Sequence, residues 1–554
     1  MWLLHVLLGC QGGGIGEPTV SAQDPGTSVP TAPQPDGPFD PDHVMVVDAS
    51  LTDANWGALT QETRSFFDLV VGPECLEGPV ENVFTWYPGE VTVDGATVPE
   101  VGFRKKGLIG SLSWTRPSLK VDTDRFVDAQ FFADDGEHLT LNNNNQDVSR
   151  LHTCLAYAVF DRAGAIAPRC HFATVGVNGE DLGVYSRVEP IKKRFLRDRF
   201  GSDDGDLYEG TISDFNDFLV TFDIKSEGST LEPLEDVADA LLLDDADLMP
   251  ALQGLLELDG FITGWALEGL IAHWDGYAQG NNNFYVYRDA EDGLLHYLPW
   301  GADAVFEVPT SEALFTTGAL VQRLWNHPEG QARYLAESQR LLDSVWDEAW
   351  LHEEVDRMEA LVTPHALDPG AMAAGISGVR SFIDGRRATV QAVIDAPPSR
   401  PLFERQRECL QPIGSLSASF TTTWGSLAGD PFGNSATLQG DVMGTPIDSA
   451  LIGAVAGDDG AGSRILAVVG VDASFTTALQ VVLLLPQELE PGAWTIDIAA
   501  VTGVVIAADL ANPNDPGEIV ALMGGELVLE EADYSPGGTL RGTIEATLIP
   551  SIFF

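Results

Sequence analysis

The sequence predicts an α+β protein in two folded parts: a mixed core over about residues 43–398 and an all-β sandwich over 413–554. Three observations carry this. Strand-like segments joined by Asp-Gly and Asn-Gly turns recur between His43 and Val188. Apolar residues at helical spacing dominate from Leu255 to Val393. At about Ile413 the composition changes, and long apolar strands alternate with Gly, Pro and Asp turns with almost no helical periodicity. A chain of 554 residues is also too long for one ordinary domain.

The elements follow in order. His43–Asp48 reads as a strand, Asp53–Phe67 as a short helix and Val91–Val98 as a hairpin turning at Asp94-Gly95. Val101–Arg104 and Ser118–Val121 read as strands, separated by Lys106-Gly107-Leu-Ile-Gly110-Ser111. A helix is expected over Ser149–Ala163 with Asp147 as its N-cap. Strands at Cys170–Val177 and Gly183–Val188 flank the turn Asn178-Gly179. Leu255–Trp274 carries Leu258, Phe261, Ile262, Trp265, Leu270 and Ile271 at helical spacing. Strands Asn283–Tyr287 and Leu294–Leu298 come next, then helical stretches over Gln331–Val362 and Pro369–Val393, ended by Pro397-Pro398. In 413–554, Ala478–Leu485 and Trp494–Ala500 are typical strands. No catalytic constellation is visible there, so that part reads as a stalk or interaction module.

Charge narrows the partners. Eighty-three acidic residues against 30 basic ones give a net −53, which repels nucleic acid and anionic lipid surfaces. Solubility or adaptation to salt accounts for the excess. All six lysines (Lys105, Lys106, Lys120, Lys192, Lys193, Lys225) nevertheless lie in the first half. They are either a solvated basic face or point charges for phosphates.

The start, Met-Trp-Leu-Leu-His-Val-Leu-Leu-Gly-Cys, ends in a lipobox-like Leu7-Leu8-Gly9-Cys10, although no Lys or Arg precedes the short apolar run. Residues 1–10 therefore read as a lipoprotein signal segment with Cys10 as the lipidated residue. Residues 11–42, rich in Gly, Pro, Ser and Asp, read as a disordered linker. The expected location is exported and membrane-anchored, touching the membrane through the lipid alone. Four cysteines remain, Cys75, Cys154, Cys170 and Cys409, enough for two disulfides; Cys154 with Cys170, flanking a helix-to-strand connection, is the favoured pair.

Two constellations can carry chemistry. Arg104, Lys106, Gly107, Gly110, Ser111 and Lys120 make a strand–turn–strand of the kind that lays backbone N–H groups and a lysine against phosphate. His273-Trp274-Asp275 closes a long helix, Asn283 opens the next strand, and Asp303 follows a hairpin. Acid, amide, acid is the order in which a kinase supplies a proton acceptor and magnesium ligands. The alternative is that Asp275 caps a helix end and the Asn run is a turn.

An ordered series of short motifs resembles the CotH family. These are Arg104-Lys-Lys-Gly107, Arg116-Pro-Ser-Leu-Lys120, Leu139-Thr-Leu-Asn142, Gln146-Asp-Val-Ser149 and Ala163-Gly-Ala-Ile-Ala-Pro168. Val177-Asn-Gly179 with Gly183-Val-Tyr185 and Glu189, Asp206-Leu-Tyr208, Asp275 with Asn283-Phe-Tyr-Val-Tyr287, and Pro299-Trp300 with Asp303 complete it. That family is similar to an atypical protein kinase that phosphorylates serines of spore-coat proteins. The resemblance implies a two-lobed kinase-like core over 43–398 that uses ATP and Mg²⁺. It implies that Lys120 or Lys106 contacts the phosphates, Asp275 is the catalytic acid, Asn283 and Asp303 bind magnesium, and Glu189 pairs with the lysine. Many members have Trp-Asp-x-Asp where this chain has Trp300-Gly301-Ala302-Asp303.

Two functions compete at this point. One is an active kinase acting on surface or coat proteins, which once exported needs a supply of ATP. The other is a surface binding or adhesion protein that kept the fold without phosphotransfer, as some fungal relatives are invasins. A hydrolase is disfavoured, since neither Gly-x-Ser-x-Gly nor His-Glu-x-x-His is present.

Overall fold

The computed structural model describes residues 39–550 apart from 73–74, 109, 133–135, 404–408, 460–462, 487, 499–500 and 513–516. Cys10, the signal-like segment and the linker to residue 38 lie outside the described residues. Among the described residues no helix is long and apolar enough to cross a membrane.

The chain begins as a closed seven-stranded barrel. Strands β1 (Met45–Ser50), β2 (Tyr87–Val93), β3 (Ala96–Lys106), β4 (Ser118–Asp122), β5 (His138–Asn142), β6 (Cys170–Val177) and β7 (Glu180–Val188) pair in the order β1-β2-β3-β4-β5-β7-β6. The ring closes because β1 also lies parallel to β6. Both expected hairpin turns form: Asp94-Gly95 and Asn178-Gly179 take positive φ at each residue, the geometry whose twist matches the flanking strands. Period-two alternation sends Phe103, Leu119, Val121, Leu139 and Leu141 into the barrel. It leaves Arg104, Lys106, Lys120 and Asn142 on the outer face.

Beyond the barrel, β8 (Asp206–Gly210), β9 (Asp223–Ile224), β10 (Phe284–Arg288) and β11 (Leu295–Pro299) form a small sheet in the order β11-β10-β8-β9. The helix Leu258–Ile271 runs through the main core, buried on nearly every side, which suits its almost wholly apolar sequence. It is shorter at both ends than its periodicity implies. Glu257 caps its start by accepting from Gly260 N at 2.7 Å, and Ala272 in the left-handed conformation ends it. The helix expected from Ser149 begins at His152, because the Asp147 carboxylate first ties down Ser149 N and His152 N, each at 2.8 Å. Gln331–Val362 resolves into two helices, Pro328–Ser344 and Glu348–Val362, with Asp347 capping the second. Cys154 is bonded to Cys170 and Cys75 to Cys409.

The C-terminal part is one ten-stranded antiparallel sheet. The expected sandwich is this single sheet folded over its own apolar face, with Leu416, Phe420, Val468, Leu483, Met523 and Leu548 inside. This part has its own sheet and core, and it also contacts the first part. Phe67 and Val70, on the short helix Phe67–Val70, pack against Val504, Leu522 and Ile549. Fully buried Asp497 accepts from Ser65 Oγ at 2.8 Å and from Phe67 N at 3.2 Å. The Cys75–Cys409 bond ties the same region covalently. The helix expected over Asp53–Phe67 ends at Gln61, and Phe67, on a separate helical turn, has its partners in the second half.

Candidate functional site

The site is built between the outer face of β3–β5 and the loops bordering the small sheet. Arg104 stands directly opposite Lys120 across the β3–β4 ladder, and Lys106 is two residues further along the same face. Lys105, between them, necessarily points the other way. It is buried and donates to Thr60 O at 2.8 Å and Glu62 O at 2.6 Å, a structural role. Burial lowers both Lys106 and Lys120 to about 8. Asp303 and Glu209 pull Lys106 back up, and Glu209 does so for Lys120 against repulsion from Lys106 and Arg104. Lys106 Nζ also donates to Asn142 Oδ1.

The turn between the two lysine strands rests on the loop after β5. Asn143 Nδ2 donates to Ser111 O at 2.9 Å and Asn145 Nδ2 to Gly110 O at 3.1 Å, so amides take up the turn's carbonyls. Gly107 has a φ of +129°, and a Cβ there would lie 2.4 Å from Ser111 Oγ; glycine is required on both counts.

Opposite lies the loop that follows helix Leu258–Ile271. It passes through His273–Asp275 and the single-turn helix Tyr277–Gly280, then reaches β10 with Asn281 and Asn283 both at positive φ, which asparagine tolerates. Buried Glu268 holds the loop from beneath, accepting from Tyr277 N at 3.1 Å, Ala278 N at 2.7 Å and the Tyr297 hydroxyl. His273 is fully buried, and burial lowers it to about 4, so its imidazole is neutral.

Asp275 accepts from Asn282 Nδ2 at 3.2 Å and from Asn283 Nδ2 at 2.7 Å. Burial lifts its carboxyl to about 7, the nearby Asp303 carboxylate adds to the rise, and the two amides oppose it. Burial also raises Asp303, with Lys106 pulling it back down. Lys120, Lys106, Asp303, Asp275 and Asn283 are therefore linked in one chain of electrostatic and hydrogen-bond contacts, although they are scattered along the sequence.

Glu189 is elsewhere, and here the implied pairing is corrected. Its carboxylate is 5% exposed and accepts from Arg169 N and Nε at 3.0 Å each and from Arg199 Nη2 at 3.2 Å. The carboxylate near the lysines is Glu209 on β8. Burial pushes it up, but Lys225, at 2.5 Å, and Lys120 outweigh burial and hold it below its ordinary value. The sequence did carry a signal: Glu209 is a charged residue on a strand whose other middle positions are Leu207 and Tyr208. Glu189→Ala is expected to cost about 2–4 kcal/mol of stability, because two arginines lose a buried partner while partly solvated. Any nucleotide affinity of the folded protein should be unaltered. Chemical denaturation beside a nucleotide titration checks both.

The donor set fits a hard divalent cation. Such ions take carboxylate and amide oxygens. Two carboxylates held up by burial gain from a positive charge beside them. Asn283 commits its Nδ2 to Asp275, which leaves Oδ1 as an oxygen donor on the side of Gly301. Gly301 has a φ of +53°, and a Cβ there would meet Asn283 Oδ1 at 2.4 Å. A side chain at position 301 would therefore have to displace that amide.

The fold and cleft thus define an α+β protein with a buried cationic strand face set against a carboxylate–amide loop. The sequence model of the CotH kinase protein family matches residues 103–377. Inner spore coat protein H of Bacillus subtilis (strain 168) is similar at 23% identity over 256 residues, 41% of this chain and 69% of that protein. Invasin CotH7 of Rhizopus delemar is similar at 20% identity over 251 residues, 40% of this chain and 42% of the invasin, less than half its length. The chain belongs to the CotH family, and every residue of the cleft from Arg104 to Asp303 falls inside the matched region.

Proposed function

We propose that this chain is an ATP- and Mg²⁺-dependent kinase that phosphorylates serine or threonine hydroxyls of surface or coat proteins. The observation that supports it best is the facing of Lys106 and Lys120 against Asp275, Asn283 and Asp303. In this reading the two lysines bind the nucleotide phosphates, and Glu209 orients Lys120. Mg²⁺ held by Asp303 and Asn283 would offset the charge of the transferring phosphoryl group. Asp275 orients the acceptor hydroxyl and takes its proton as the hydroxyl oxygen bonds to the γ-phosphorus and the bond to the departing diphosphate breaks. A carboxyl lifted to about 7 is well matched to that task near neutral pH. The similar proteins are named as a spore coat protein and an invasin, which supports a location at the outer surface, with Cys10 as the lipid anchor.

The test is calorimetric titration of ATP with and without Mg²⁺, followed by transfer of labelled phosphate to serine-containing coat protein. Affinity should also depend on pH with a definite sign. Lys106 and Lys120 are charged below about 8 and neutral above it. Binding should accordingly weaken above about pH 8, by up to about tenfold per pH unit for each lysine that loses its proton. Affinity that rises through that window would sink the phosphate role of the lysines.

Two observations favour a second reading, a surface-binding protein without phosphotransfer. Gly301 removes one carboxylate from the site, and one similar protein is an invasin. Wild-type protein that binds no nucleotide would decide for it.

A further inference from the structure

The turn beside Lys106 is held from two sides, and the second side belongs to the other folded part. Asn143 and Asn145 hold its carbonyls from within the barrel. At its far end Ser113 Oγ accepts from Thr115 N at 3.3 Å and Arg116 N at 2.9 Å, a local turn that presents Trp114 outward from the barrel. The Trp114 ring meets Trp494 of the C-terminal sheet edge to face, with centroids 5.4 Å apart and planes at 61°. Trp114 packs with the apolar core of that sheet rather than with the barrel. Trp494 is itself fixed: it lies on the strand Gly492–Ile496, and its Nε1 donates to Glu490 O at 2.9 Å. The sheet bearing it is anchored independently by the Cys75–Cys409 bond and by the seat of Phe67 and Val70.

We infer that the C-terminal sheet is a positioning element for the site: Trp494, through Trp114, holds the turn that follows Lys106 in place, so that its backbone N–H groups can meet the ligand of the two lysines that the β3–β4 ladder sets side by side. The inference rests on the nucleotide reading for its effect on affinity, but not for its effect on the turn. A turn pinned only at its Asn143–Asn145 side keeps its hydrogen bonds and gains freedom at Trp114, so a ligand must then order it on binding. An aromatic pair of this kind contributes a modest coupling, and the expected loss of affinity is about three- to tenfold.

The experiment uses the whole chain. Trp114→Ala, Trp494→Ala, Trp494→Phe and the double alanine variant are compared with wild type by amide hydrogen exchange over residues 107–117 and by ATP–Mg²⁺ titration. Faster exchange in the turn and weaker binding in both single alanine variants are expected. Trp494→Phe should restore most of each, and the double variant should be no worse than the worse single one. Since Trp494→Ala alters a strand of the sheet itself, Trp114→Ala, which leaves every residue of the sheet unchanged, decides the case if the first fails to fold. Unchanged exchange in Trp114→Ala, or faster exchange with unchanged affinity, overturns the inference. If wild type binds no nucleotide, the kinase reading falls while the exchange data still decide whether Trp494 positions the turn.

Discussion

Asp275→Asn is expected to lower phosphate transfer by about 10²–10⁴-fold while ATP affinity stays within about threefold. The reasoning starts from what the carboxylate touches. Asp275 receives amides from Asn282 and Asn283 and no cationic side chain, so in the ground state its contribution to holding anionic phosphates is small. Its work would come only as the acceptor hydroxyl loses its proton, an interaction realised in the transition state, which affects kcat rather than binding. Asparagine keeps the shape of the side chain but cannot accept a proton, which separates this effect from collapse of the loop. Single-turnover transfer measured beside equilibrium ATP binding tests the point. If Asp275→Asn retains wild-type transfer, this residue is not the base.

Asp303→Ala should behave in the opposite way. Its carboxylate is coupled electrostatically to both Lys106 and Asp275, and it supplies the negative charge among the proposed Mg²⁺ ligands. Losing it should weaken Mg²⁺-dependent ATP binding by about 100-fold, since even removal of a supporting residue around a metal costs about 10- to 100-fold. Binding without Mg²⁺ should weaken little, or strengthen, as a negative charge leaves the phosphate site. The fold should survive, because the contact of this residue with a distant helix is through its backbone, His152 Nδ1 lying 3.0 Å from Asp303 O, and its carboxylate bonds only to nearby backbone amides besides its electrostatic partners. Titrations with and without Mg²⁺ separate the cases. Equal losses in the two conditions would mean that Asp303 is not a metal ligand.

Local chemistry made much of this protein legible. Asp94-Gly95 and Asn178-Gly179 specify tight hairpins because few other residue pairs take two successive positive φ values cheaply. The helix Leu258–Ile271 announced itself by apolar spacing, and the break at Pro397-Pro398 by proline's missing donor. Arg104 and Lys120 could be placed on strands, whereas Lys106 read as part of the connecting segment; β3 runs on through it, and period two then separates Lys105 from its neighbours. Helix ends were less legible: Asp147 and Glu257 choose caps through bonds to particular amides, and several starts compete within a few residues.

What the residue pattern could not contain was which distant groups share an environment. Glu189 follows β7 and Glu209 lies on β8; the apolar neighbours of Glu209 mark it as unusual, but nothing local says which acid meets arginines and which meets lysines. The choice came from β8 pairing with β10 beside the cleft, while Glu189 turned toward Arg169 and Arg199. Closure of the barrel by β1 on β6 and the seat of Phe67 on the C-terminal sheet are likewise contacts between segments far apart in the chain. Local propensity and hydrophobic period act over a few residues and were readable from the amino acids in order. Charge pairing, burial and the raised carboxyl of Asp275 depend on what lies across a cleft, and only the folded chain decides that.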